Sequence, residues 1–124
     1  EDDLFVLKPQ RSGFYGTSLG VLLLSMGVSN IILTGVTTDI CILFTAHDAY
    51  MRGYNVHIPA DASASGNPKH HSSALNFLQR VADADIRETE SIDFAVPAIE
   101  HRSAEETLLS NFSDFIRDFP LAVA

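Results

Sequence analysis

Short apolar runs alternate along this chain with stretches of helical period. Leu4-Phe5-Val6-Leu7, stopped by Lys8-Pro9, predicts a buried strand with a lysine at its C-terminal end. Residues 10–17 are polar and carry Gly13 and Gly16, hence a loop. Thr17 or Ser18 caps a helix whose apolar positions are Leu19, Leu22, Leu23 and Met26, and Gly27 ends it. Residues 31–34 read as a second strand, residues 35–39 as a turn, and residues 40–52, closed by Gly53, as a helix. Residues 55–58 form a third strand stopped by Pro59, and residues 61–68 a loop of small residues. Residues 69–84 predict a helix with Ala74, Leu75, Leu78, Val81 and Ala82 on one face. Residues 85–89 read as a short fourth strand.

The last stretch divides in two. Residues 91–102 hold Pro97 and show no period. Ser103-x-x-Glu106 is a capping-box pattern, and Leu108, Leu109, Phe112, Phe115, Ile116 and Phe119 then lie on one helical stripe. A helical extension over residues 95–124 is expected, buried against the sheet or a second subunit, and with it a homo-oligomer. Strands that alternate with helices and are uniformly apolar define an α/β protein with a parallel sheet flanked by helices.

Composition narrows the functional classes. The 124 residues suffice for one domain with a sizeable core. Hydrophobic residues are 46% and charged ones 19% of the chain, a globular balance. The formal charge of −8 argues against a nucleic-acid backbone or an anionic membrane as partner, because both need a basic face. No apolar run approaches the roughly 20 residues that span a bilayer. No signal peptide opens the chain, which with a single thiol favours the cytoplasm. Gly13, Gly16 and Gly20 match neither dinucleotide nor P-loop spacing, so no nucleotide cofactor is expected. There is no G-x-S-x-G segment to support a serine hydrolase.

In an open parallel sheet a ligand site lies beyond the carboxyl ends of the strands. Lys8 ends the first expected strand there, and the 35–39 turn delivers Cys41 to the first turn of the next helix. A thiolate at a helix N-terminus is stabilised by the dipole and by unpaired backbone N–H groups. The same N–H groups can hold the oxyanion formed when a thiolate attacks a carbonyl. Taken alone, Cys41 also fits a small core residue and Lys8 a solvated strand end. Phe14 and Tyr15 suit either a small pocket or core packing. His70 and His71 are adjacent and would diverge on a helix, which suits a supporting role better than a chelate, and His47 reads as a surface helix residue, because Cys41, Thr45 and Asp48 define the other face.

Several motifs, in order, carry a resemblance over residues 4–90. Lys8-Pro9-Gln10-Arg11-Ser12-Gly13-Phe14-Tyr15-Gly16-Thr17-Ser18-Leu19 resembles the K-x-x-x-S-x-F-x-x-T-x-L segment of the isochorismatase-like cysteine hydrolases. Gly35-Val36-Thr37-Thr38-Asp39-Ile40-Cys41 is similar to their G-V-x-T-x-x-C segment. Thr45-Ala46-x-Asp48-Ala49, Gly53-Tyr54-x-Val56, Asp61-Ala62-x-Ala64-Ser65 and His71 continue the match. The resemblance implies a Rossmann-like three-layer α/β/α fold, with Cys41 as nucleophile and Lys8 as its cationic partner. It further implies a cis peptide between Val36 and Thr37 that turns the Thr37 N–H inward beside that of Cys41 as the oxyanion site. Phe14 would line the pocket of a small-molecule substrate.

The third member of that family's catalytic set is an Asp on a strand upstream of the Lys segment, and this sequence begins at the Lys segment. Neither Asp2 nor Asp3 takes that role. The sequence is therefore expected to be the C-terminal portion of a single domain, its missing strand coming from a longer polypeptide or another chain. Metal-binding members hold their ion through residues of that missing half, so no metal is expected on the residues here. The implied activity is hydrolysis of a C–N bond in a small amide or ureido compound through a thioester on Cys41. The alternatives are an isochorismatase-type enol-ether hydrolase, which does not depend on a cysteine, and a catalytically incomplete chain acting only through assembly.

Overall fold

The computed structural model describes residues 3–92 of the chain. Its strands are β1 (Asn30–Ile32), β2 (Gly35–Val36), β3 (Asn55–His57) and β4 (Ser63–Ala64). Its helices are α1 (Leu19–Ser25), α2 (Leu43–Met51) and α3 (Pro68–Ala82). β1 runs parallel to β3 with Ile31 opposite Val56, and β2 runs parallel to β4 with Gly35 opposite Ser63. Between the pairs the Leu33 N–H donates to the His57 carbonyl at 2.8 Å. The expected parallel α/β arrangement is thus present, with sheet segments that carry the chain from β1 toward the turn after β2.

The core lies where α2 and α3 meet the sheet. Ala46 and Ala49 of α2 are fully buried, and Val56, Ile58, Leu75, Leu78 and Ala82 close around them. Alanines at that contact let the helices approach closely, and the larger Ile58 and Leu78 fill the space between. Asn67 caps α3 by accepting the Lys69 N–H at 2.9 Å, with Pro68 at the first helical position, where its missing N–H costs nothing. Asp83, at φ +49°, ends the helix. Ala74, Leu75, Leu78 and Ala82 are buried as their spacing predicts, but Val81 sits on the rim at 38% exposure.

Some expectations are corrected. Residues 4–7 are not a strand: Leu4, Phe5 and Leu7 are exposed. A strand exists only where neighbours take its N–H and C=O groups, and among the described residues none pairs with this segment. The fourth strand at residues 85–89 reduces to one parallel bridge between His57 and Asp85. There the Asp85 carboxylate accepts the Arg87 N–H at 3.1 Å and turns the chain away from the ladder. Met26 of the first predicted helix is exposed, while Leu19 and Leu23 lean on the core. The helix expected over residues 40–52 starts earlier, as a wide π-type turn at Thr38–Ile42 that runs into α2. His47 is not a free surface residue but is half-buried, edge-on to Phe77 of α3 at 5.4 Å between ring centroids. The predicted extension over residues 95–124, with its apolar stripe, lies outside the described residues. Among the described residues, no helix is long and apolar enough to cross a membrane.

Candidate active site

The turn after β2 carries the nucleophile candidate. Gly35, at φ +107°, supplies a left-handed conformation that a side chain would strain. The peptide between Val36 and Thr37 is cis. Thr37 is extended, and its carbonyl accepts the N–H groups of Ile40 at 3.2 Å and Ile42 at 3.1 Å. Those bonds wind the wide turn that carries Cys41 toward the solvent side of α2, where the cysteine is half-buried.

The turn is tied down from two sides. Thr38 is fully buried, with Oγ1 2.9 Å from Nδ1 of His71 on α3. Ser65, just after β4, donates to Asp39 Oδ1 at 2.7 Å and accepts the Asp39 N–H at 3.3 Å. His70 Nδ1 lies 3.6 Å from Asp39 Oδ2. The Ser65 hydroxyl is the main reason the Asp39 carboxyl stays below its ordinary value; desolvation opposes it, and its own N–H, the Thr37 hydroxyl and His70 assist. The adjacent histidines therefore diverge, one to Asp39 and one to Thr38. Among the described residues no three His, Cys, Asp or Glu side chains converge as a metal set.

Lys8 reaches the thiol from the other side. Its Nζ donates to the Gln10 carbonyl at 3.0 Å and the Arg11 carbonyl at 3.1 Å, and stands 3.4 Å from Cys41 Sγ. The side chain thus folds back over its own loop and meets a group 33 positions away in sequence. Gly16 keeps the loop compact, because at φ +64° a Cβ there would lie 3.3 Å from Pro9 Cγ. Two backbone carbonyls therefore hold the ammonium at the sulfur.

Lys8, Val36, Thr37 and Cys41 come together at this end of the sheet. Phe14 does not join them: it is 6% exposed, stacked on Tyr54 at 6.1 Å and covered by the Arg52 guanidinium at 4.7 Å. The phenyl ring has no polar handle to keep near water, so the core takes it. Its neighbour Tyr15 instead lines an open cleft of about 330 Å³ with Gln10, Arg11, Ser12, Phe44 and Asp48. The sequence motifs contain Ser12, Thr38, Thr45 and Ser65, but they do not reveal the contacts that these residues and Asp39 make.

A cysteine and a lysine thus meet at the carboxyl end of a parallel sheet. The isochorismatase domain model matches residues 1–90, and the chain belongs to that family. It is 44% identical over 90 residues to the isochorismatase family protein YaaI of Bacillus subtilis, covering 73% of this chain and 50% of YaaI. Its structure is similar to the pyrazinamidase/nicotinamidase of Streptococcus mutans, with TM-score 0.63 and 46% identity over 64% of this chain and 44% of that one. It is also similar to the N-carbamoylsarcosine amidase of Thermoplasma acidophilum, with TM-score 0.64 and 32% identity over 71% of this chain and 49% of that one. The chain thus spans about half the length of the relatives it matches.

Proposed function

We propose that the protein hydrolyses a C–N bond in a small amide or ureido compound, with Cys41 as nucleophile. The observation that carries this reading is Lys8 Nζ at 3.4 Å from Cys41 Sγ. The family relatives named for an activity, a nicotinamidase and an N-carbamoylsarcosine amidase, cleave bonds of this class.

Cys41 Sγ gives its proton to a carboxylate and attacks the substrate carbonyl carbon. A C–S bond forms and the carbonyl π pair moves onto oxygen. The N–H groups of Thr37 and Cys41 hold that oxyanion, and Lys8 offsets the charge. Collapse breaks the C–N bond; the amine leaves with the proton the carboxylate returns. Water then loses a proton to the same carboxylate and attacks the thioester. The C–S bond breaks, the acid is released, and the proton returns to the thiolate. Among the described residues, Lys8 is the side chain within hydrogen-bond reach of Sγ. The carboxylate is therefore assigned to the Asp that the family carries upstream of its Lys segment. Self-association belongs to the same reading, supported by the apolar stripe from Leu108 to Phe119 in the sequence, and light scattering tests it.

The test is turnover of nicotinamide, an N-carbamoyl amino acid and isochorismate by the purified protein and its Cys41→Ala variant. Amide cleavage abolished in the variant, with an acyl adduct of the wild type trapped by mass spectrometry, is the expected result. Cleavage of an amide by Cys41→Ala overturns the mechanism. Turnover of isochorismate alone overturns the amidase reading.

A further inference from the structure

We propose that Thr45 and Asp48 are positioning residues, clamping the Lys8 loop onto α2 so that the Lys8 ammonium is held at the Cys41 sulfur; this rests on the reading of Cys41 as nucleophile. Thr45 and Asp48 lie three positions apart on α2 and share a face. Thr45 Oγ1 donates to the Cys41 carbonyl at 2.7 Å and accepts the Gly13 N–H at 2.9 Å. One hydroxyl thus joins the nucleophile's own peptide to the loop. Ser12 Oγ donates to Asp48 Oδ2 and accepts the Phe14 N–H at 3.1 Å. Arg52 Nη1 holds the other Asp48 oxygen at 2.8 Å and covers the Phe14 ring. Three consecutive loop residues, Ser12, Gly13 and Phe14, are therefore fixed to α2 and to Arg52, which ends it.

The carbonyls that hold Lys8 Nζ belong to Gln10 and Arg11, directly before this anchored triplet. Fixing Ser12, which is 6% exposed, fixes the Arg11 peptide, and that peptide fixes the ammonium. A lysine has a flexible four-carbon stem and gains nothing from geometry unless its acceptors are themselves held. The same Thr45 hydroxyl orients the Cys41 carbonyl, so the cation and the nucleophile share one reference. Asp48 and Thr45 face only the loop and their own helix in these contacts, which separates this role from that of the turn ties at Thr38 and Asp39 on the α3 side.

Cys41 is the single cysteine of the chain, so alkylation reports on it alone. The experiment measures the rate of iodoacetamide labelling at pH 7 for wild type, Thr45→Val, Ser12→Ala and Thr45→Ser, each with Lys8 and with Lys8→Met. Thr45→Val and Ser12→Ala are expected to slow labelling about 3- to 10-fold when Lys8 is present, as loss of an electrostatic contact does, and to have almost no effect in the Lys8→Met background. Thr45→Ser, which keeps both hydrogen bonds, is expected to label as wild type. Equal slowing in the two backgrounds, or none in either, overturns the proposal. Ser12→Ala leaves α2 untouched, so a Thr45→Val protein that fails to fold still leaves a decisive arm. Labelling needs no substrate. Lys8-dependent slowing in a protein that cleaves no amide keeps the clamp and removes the amidase reading; amide turnover without that dependence does the reverse.

Discussion

Thr38 Oγ1 sits 2.9 Å from Nδ1 of His71, so a fully buried hydroxyl on the nucleophile turn is paired with a ring on α3. Thr38 is shut off from water while His71 is half-buried, and the bond ties the turn to the helix that closes the core. Thr38→Val keeps the shape and removes the hydroxyl. It is expected to lower stability by about 1–2 kcal/mol, because His71 Nδ1 is left without its partner. Urea denaturation checks this, and an unchanged midpoint would contradict it. His71→Ala combined with Thr38→Val should cost less than the sum of the two single changes.

Asp85 predicts the acid limb of stability. The Arg87 guanidinium, bonded at 2.6–3.2 Å, holds its carboxyl well below the ordinary 3.8; burial opposes this, and the Arg87 N–H and His57 add to it. A depressed folded value stabilises the protein above the unfolded value and is lost as pH falls below it. Asp85→Asn is therefore expected to cost on the order of 1 kcal/mol at pH 7, discounted because Arg87 is solvent-exposed. Its difference from wild type should shrink as pH falls from about 4 toward 2. Thermal unfolding across that range measures it; a difference independent of pH would show that the carboxylate's charge is not involved.

Leu78 and Val81 belong to one predicted apolar face, yet Leu78 is fully buried and Val81 is 38% exposed. Leu78→Ala is expected to cost about 2–5 kcal/mol, from lost transfer energy and an unfilled cavity. Val81→Ala is expected to cost under about 1 kcal/mol. Denaturation midpoints of the two variants, measured side by side, separate core from rim.

Local pattern revealed the elements that satisfy themselves. The run of apolar positions from Ala74 to Ala82 needs only a surface to meet. The parallel order of β1 and β3 followed from the helices between them. Residues 4–7 show the limit: their composition is that of a strand, but pairing depends on a neighbour that local sequence does not name. Phe14 shows another, since a ring fits pocket and core equally until Tyr54 and Arg52 are known to enclose it. At the site, the position of Cys41 at a helix start was legible from the glycine turn before it. The ties from Thr45 to Gly13 and from Asp48 to Ser12 span more than 30 positions and leave no periodic trace.

The wide turn over Thr38–Ile42 acts as an added residue in the helix. Each residue advances a helix by about 100°. Removing one residue from that turn, and so restoring regular winding, would rotate everything after it by that angle. Thr45 and Asp48 would then swing off the loop they hold, and Ala46 and Ala49 off their contact with α3. The loosest winding among the described residues therefore sets the phase of α2: it allows one short helix to turn its clamps to the loop while keeping its alanines turned to the core.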